Sequence, residues 1–223
     1  MDPQVAHLIS LEYDEQRSEE WLKLRGNMVT ASDAATVLGV NPYESVDGFI
    51  LKKCGHRTFF GNEATAHGNK YEDEARDIWC KQTGEICHEI GLYPHPEYDW
   101  LGGSPDGVTE SGKLVEIKCP LKRQIKDEVP VYYMPQLQLL MHILNLKEAV
   151  FIQYKPVAIT WPKPYEFSVV HVPREEDWLE KHLPTFRSVW DRVLYHREHG
   201  IEPPPPPKKR TKKEKVKKCE IVD

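Results

Sequence analysis

Gly103-Ser104-Pro105-Asp106-Gly107, followed six residues later by Leu114-Val115-Glu116-Ile117-Lys118-Cys119-Pro120, is the stretch that decides how this chain is read. In a strand, alternate side chains share a face. Glu116 and Lys118 therefore point one way, and Val115, Ile117 and Cys119 point the other way into apolar packing. Asp106 stands in a turn leading toward this strand, and a hairpin of that length lays it beside Glu116. Two carboxylates about 4 Å apart repel by roughly 4 kcal/mol at an effective dielectric of about 20. Lys118 offsets part of that repulsion, and a divalent cation offsets more; oxygen ligands of this kind suit Mg²⁺ or Mn²⁺. The same spacing also fits a surface pair of Glu116 with Lys118 that contributes little to stability, and spacing alone leaves both readings open.

Around this hairpin the sequence predicts a helix over residues 18–26, carrying Trp21, Leu22 and Leu24. A second begins at Thr30 as cap, with Ala34, Ala35, Val37 and Leu38 on its apolar side, and ends at Gly39. A longer helix is predicted from about Asn62 to Thr83, where Tyr71, Ala75, Ile78 and Trp79 recur at a helical period and Gly84 follows the end. On its wheel Glu72 lies roughly 70° from the centre of the apolar side and Glu74 roughly 90°, so either could turn inward. Strands are expected over Ile86–Tyr93, Trp100–Val108, Lys113–Cys119, Ala149–Tyr154 and Tyr165–Val172. A helix entered at Pro135 and continuing to Leu144, and another over Glu175–Glu198, complete a mixed α/β domain with a central sheet spanning residues 1–202.

The formal net charge of −5 hides a division: residues 203–223 carry +5, so the body carries −10. The tail opens with five prolines, Pro203 to Pro207, a stiff spacer. The basic run after it has too few apolar residues to bury a core and is read as disordered. It serves as a solubilising tail, a DNA tether or a nuclear-import signal around Pro207-Lys208-Lys209-Arg210. An acidic body argues weakly against a nucleic-acid partner, unless its carboxylates hold metal ions that reverse the local field. No apolar run is long enough for a membrane helix, and Met1-Asp2-Pro3-Gln4 does not begin a secretory signal. The five cysteines, Cys54, Cys80, Cys87, Cys119 and Cys219, form no CxxC pair. That argues for a reducing compartment, and the Cys80, Cys87, His88 spacing is not that of a zinc site.

Ser-Pro-Asp-Gly, a gap, then Glu-Ile-Lys-Cys-Pro resembles the core of the PD-(D/E)XK nucleases, and within them the lambda-exonuclease-like, YqaJ-type viral recombinase family. Three further stretches agree in order. Trp21-Leu22-Lys23-Leu24-Arg25 with Thr30-Ala31-Ser32 resembles the family's N-terminal segment. His67-Gly68-Asn69-Lys70-Tyr71-Glu72 resembles its His-Gly-x-x-Tyr-Glu helix, and Tyr133-Met134-Pro135-Gln136-Leu137-Gln138 its Tyr-Met-x-Gln-x-Gln helix. The resemblance implies a restriction-endonuclease-like core, a central mixed sheet flanked by helices, and a Mg²⁺-dependent exonuclease that degrades linear duplex DNA 5′→3′ in recombination, repair or viral DNA processing.

Carried over by motif, Asp106 and Glu116 would hold the catalytic metal with the Ile117 carbonyl, and Glu72 would complete a second metal position. Lys118 would orient the attacking water, and Gln136 would arrange Lys118 or the scissile phosphate. Arg25, Ser32 and Ser104 match positions that grip a 5′-terminal phosphate; Arg123 stands one residue closer to the Cys-Pro than the family's remaining phosphate-binding arginine. The resemblance also implies a homotrimer encircling DNA and a single-strand annealing protein as partner. The basic tail adds the nucleus or a viral factory as location. Two other readings stay open: a RecB-like single-strand or structure-specific nuclease, whose Gln-x-x-x-Tyr motif here would need a tyrosine where Leu140 stands, and an inactive subunit that binds DNA ends.

Overall fold

A computed structural model describes residues 1–16, 18–57 and 61–201. The Pro-rich and basic tail, with Cys219, lies outside the described residues.

The helices are α1 (Pro3–Ile9), α2 (Glu19–Gly26), α3 (Ala34–Val37), α4 (Val46–Lys53), α5 (Glu63–Thr83), α6 (Met134–Ile143), α7 (Val157–Thr160) and α8 (Trp178–His199). The strands are β1 (Val29–Thr30), β2 (Cys87–His88), β3 (Tyr93–Pro94), β4 (Leu101–Gly103), β5 (Gly107–Thr109), β6 (Lys113–Lys118), β7 (Glu148–Lys155) and β8 (Glu166–Pro173). Helix ends follow local chemistry. Asn62 Oδ1 accepts the Thr65 N–H at 2.9 Å to start α5, and Gly84 ends it in the left-handed region at φ +74, where glycine has no Cβ to clash. Asp2 accepts the Gln4 N–H at 2.8 Å ahead of Pro3 in the first turn of α1.

Two sheets form. Five strands run in the order β2-β5-β6-β7-β8, with β6 and β7 parallel and the other pairs antiparallel. A smaller sheet orders β1-β4-β3. The predicted strands Ile86–Tyr93 and Trp100–Val108 are each divided between the two sheets. In the second, Ser104-Pro105-Asp106 separates β4 from β5. Proline has no N–H for a ladder, so the chain leaves one sheet there and enters the other.

The larger sheet is covered on both faces. On one, Ala75 and Trp79 of α5 pack on Val115, Ile117, Val150, Ile152 and Tyr154. On the other, α4, α6 and α8 bring Phe49, Leu137, Leu140 and Phe186 against Leu114 and Phe151. Each such side chain contributes about 1.5–3 kcal/mol when fully buried. β6 therefore lies in the middle of the protein, buried from Leu114 to Ile117, and its two end lysines, Lys113 and Lys118, come out toward solvent.

Gly103 sits where β4 crosses α6. A Cβ there would lie 2.5 Å from Leu140 Cδ2 and 3.2 Å from Ala31 Cβ. We expect Gly103→Ala to lower stability by about 1–3 kcal/mol, read from the midpoint of urea unfolding. An unchanged midpoint would show that β4 and α6 do not make this close contact.

Candidate active site

The β5–β6 hairpin pairs Gly107 with Val115 and Val108 with Leu114, which carries Asp106 to the side of Glu116. Asp106 Oδ2 accepts the Ile117 N–H at 2.6 Å. Glu116 is 1% exposed, which removes the surface-pair reading. Its Oε1 accepts from Lys118 Nζ and from Gln136 Nε2 of α6 at 2.6 Å. Its Oε2 is buried and has no hydrogen-bond partner among the described residues.

On α5 the choice left open by the wheel is resolved. Glu74 accepts from the Tyr154 hydroxyl, whereas Glu72 lines the cleft with Asp106, Glu116, Lys118 and Gln136. Arg76, one turn further on, pairs with Glu72 at 3.3 Å and also with Glu89 and Asp73. Its spacing from Glu72 was visible in the sequence, but the approach of Glu89 from a distant loop was not.

The group is short of positive charge. Burial first, then Asp106, pushes the Glu116 carboxyl up to about 8, with Lys118 offsetting part. Burial and Asp106 raise Glu72 to about 7 against the pull of Arg76 and Lys118. Burial likewise raises Asp106, against Lys118 and the Ile117 N–H. Burial would lower Lys118, but Glu116 and Asp106 outweigh it and hold the ammonium protonated. An unpaired buried carboxylate oxygen beside a second acid fits an oxygen-ligating divalent ion. Asp106 and Glu116 would hold such an ion; Ile117, assigned a carbonyl ligand by resemblance, borders the adjoining cleft. Glu72 faces the same space but is turned to Arg76. Among the described residues no three His, Cys, Asp or Glu side chains are gathered closely enough to hold an ion as they stand.

The same cleft, about 500 Å³, contains Arg25, Ser32 and Ser104. Arg25 Nη2 donates to Ser32 Oγ at 2.5 Å, and its guanidinium lies 5.0 Å from the Trp21 ring centroid. Ser32 belongs to a short 3₁₀ turn, Ala31–Asp33, ahead of the four-residue α3, so the predicted single helix is two short pieces. Beneath it lies a buried ion cluster that no sequence pattern marks. Asp33 receives Lys52 and Lys53, both at 3.2 Å, and Thr30 Oγ1 at 2.8 Å. Lys53 also donates to the carbonyls of Arg25 at 2.8 Å and Met28 at 2.7 Å, fixing the backbone that carries Arg25. Burial would raise the Asp33 carboxyl, but Lys53, Lys52 and Arg25 outweigh it and hold it well below the usual carboxylate range.

Arg123 is not brought to Arg25, Ser32 and Ser104. It lines a second cleft that shares Asn69, Glu72, Asp106 and Lys118 with the first. Five buried side-chain atoms lack partners among the described residues, and four belong to residues lining the two clefts: Trp21 Nε1, Arg76 Nε, Glu116 Oε2 and Arg123 Nη2. Buried polar groups are normally satisfied, so this concentration marks where a polar ligand would complete them.

Comparison with known proteins places the chain in a family and a fold. The family described as the YqaJ-like viral recombinase domain matches residues 20–147. An uncharacterized protein of Acanthamoeba polyphaga mimivirus is 32% identical over 160 residues, covering 63% of this chain and 29% of that protein. A protein of African swine fever virus is 33% identical over 156 residues, covering 56% of this chain and 45% of its own. The chain thus spans less than half the length of these viral relatives. The crystal structure of an alkaline exonuclease from Laribacter hongkongensis superposes with a TM-score of 0.67 at 26% identity, covering 82% of this chain and 95% of that one. The architecture is therefore the PD-(D/E)XK fold.

Addition of Mg²⁺ should raise the melting temperature of the full chain, by the equivalent of about 2.7 kcal/mol at a hundredfold excess over Kd, and Glu116→Gln should remove the increment. Melting indifferent to Mg²⁺ and Mn²⁺ in the unaltered protein would contradict an ion site here. The stability contributed by ionised Asp33 is fully present above its ordinary pKa of 3.8 and is lost as the pH falls below that value. Asp33→Asn should therefore flatten the acid limb of stability against pH; an unchanged limb would show that the cluster does not stabilise the fold.

Proposed function

The chain belongs to the YqaJ-like viral recombinase domain family, and from that premise we propose that it is a Mg²⁺-dependent exonuclease degrading linear double-stranded DNA in the 5′→3′ direction. The observation that carries this reading is the buried Glu116 with the half-buried Asp106 beside the Lys118 ammonium, open on one side to a cleft containing Arg25, Ser32 and Ser104.

A divalent ion, when bound, lowers the pKa of water and neutralises charge on phosphoryl oxygens. The chain's own groups supply the rest. Lys118, kept protonated by Glu116 and Asp106, places fixed positive charge where the transition state gains negative charge. Gln136 holds Glu116 Oε1 in place, leaving Oε2 directed to a ligand. The forked guanidinium of Arg25 and the hydroxyls of Ser32 and Ser104 match an exposed terminal phosphate. Anchoring that phosphate sets the next phosphodiester over the acids, so hydrolysis proceeds from a 5′ end. Glu72, now paired with Arg76, would hold a second ion.

The clefts favour this over the RecB-like alternative. Leu140, where that motif needs a tyrosine, is fully buried in the core. The complete set of Asp106, Glu116 and Lys118 in the cleft opposes an inactive end-binding subunit. A homotrimer around DNA would reconcile the acidic body with a polyanionic substrate, and a single-strand annealing protein would receive the exposed strand.

The test is a time course on end-labelled linear duplex, with and without a 5′-phosphate, in Mg²⁺ or EDTA. We expect release from the 5′ end, dependent on Mg²⁺ and absent on closed circles. Asp106→Ala, Glu116→Ala and Lys118→Ala should each lower the rate at least about 10²–10³-fold without unfolding the protein. Arg25→Ala should reduce the preference for a 5′-phosphate. Equal digestion by the Lys118 or Glu116 variant, or attack on closed circles, would overturn the assignment.

A further inference from the structure

The terminal-phosphate residues all lie in the first cleft, leaving the second, of about 770 Å³, without a role. Its composition differs: three tyrosines, Tyr43, Tyr132 and Tyr133, face it together with Lys122 and Arg123. Tyr43 is 76% exposed, yet its position is fixed. Its N–H donates to Asn41 Oδ1 at 2.9 Å, and Asn41 Nδ2 donates to the buried Thr36 Oγ1 at 2.7 Å. Its ring meets Tyr132 edge to face, with centroids 5.7 Å apart and planes at 85°. Tyr132 packs in turn on Tyr133 at 4.5 Å, and Tyr133 on the core residue Phe151 at 5.5 Å. Tyr43, at the outer end of this chain of rings, leaves most of its surface open to the cleft side. A flat ring laid on one tyrosine would meet the other edge-on, an arrangement that aromatic quadrupoles favour.

The corner is also continuous with the catalytic acids, since both clefts share Asp106, Glu72 and Lys118. A phosphodiester over those acids has a nucleotide on each side. The terminal phosphate and its nucleotide occupy the first cleft, so the next nucleotide must leave through the second. The Arg123 guanidinium has one nitrogen on Gln153 Oε1 at 2.7 Å and another, Nη2, buried without a partner.

We propose that the second cleft binds the nucleotide on the 3′ side of the scissile bond, with its base stacked in the Tyr43–Tyr132 corner and the phosphate on its own 3′ side held by Lys122 and Arg123. The assignment rests on the nuclease reading above and adds a stacking platform to it. Stacking on aromatic rings is tolerant of sequence, because every base has a π-face, as an enzyme that moves along a strand requires. The platform holds the retained strand in place while the released nucleotide departs.

The experiment uses the full chain in EDTA, where nothing is cut. A duplex with a 5′-phosphate carries, at the second nucleotide from that end, 2-aminopurine, adenine or no base. We expect 2-aminopurine fluorescence to be quenched on binding. Tyr43→Ala and Tyr132→Ala should weaken binding of the adenine duplex about tenfold, and Tyr43→Phe should restore it to within about twofold of the unaltered protein, since the phenylalanine face stacks as well. Removing the base should weaken binding to the unaltered protein by the same factor and leave Tyr43→Ala unaffected, so that the two losses do not add. Additive losses, or unquenched fluorescence in the unaltered protein, would overturn the proposal. Quenching and non-additivity in a protein that fails to cut with any divalent ion would instead sink the nuclease reading and leave the platform standing.

Discussion

Glu116 holds a carboxylate oxygen inside the protein to which nothing among the described residues donates, and the rest of the structure is arranged around that constraint. Taking an ionised carboxylate out of water costs several kcal/mol even after relaxation. Lys118 and Gln136 satisfy one oxygen. The hairpin then brings Asp106 to the same place, where it adds repulsion instead of relief. Leaving one partner absent from a buried acid is unfavourable for folding, and such sites persist where a ligand completes them. With β6 between β5 and β7 and α5 and α6 on its two faces, the group is open toward the cleft.

Two clefts of different character meet beside this acid, at Glu72, Asp106 and Lys118. One is polar and ends in a forked cation with hydroxyls; the other carries three tyrosines with Lys122 and Arg123. A strand laid through both would be gripped at its terminus on one side and by its bases on the other. That asymmetry gives the proposed reaction its direction. The acidic body is less paradoxical in this light, because part of its negative charge is gathered where metal ions would be bound.

Much of this was legible in the sequence because it is local. Period-two alternation fixed which side chains of residues 114–119 share a face, and the short gap after Asp106 implied the hairpin. Asn62 and Gly84 bounded α5 through their own backbone preferences. Other features depend on distant partners. Glu72 and Glu74 lie at similar angles on the helix wheel, and only the Tyr154 hydroxyl, from β7, separates their roles. The Asp33 cluster joins residues nineteen positions apart, and Tyr43 meets Tyr132 across a still longer separation. The helix α1 was legible from Asp2 followed by Pro3, a cap and a first-turn proline, but those residues were read only for a targeting signal. Strands two or three residues long, such as β1 and β3, have too few side chains to show a period, so the division into two sheets could not be read.

The central claim is that the unpaired oxygen of Glu116 is a metal ligand. It is tested most directly by anomalous diffraction from crystals of the full chain soaked in Mn²⁺. The account predicts an anomalous peak in coordination contact with Glu116 Oε2 and the Asp106 carboxylate. A peak located elsewhere, or no peak with Glu116 still buried in the same position, would contradict it.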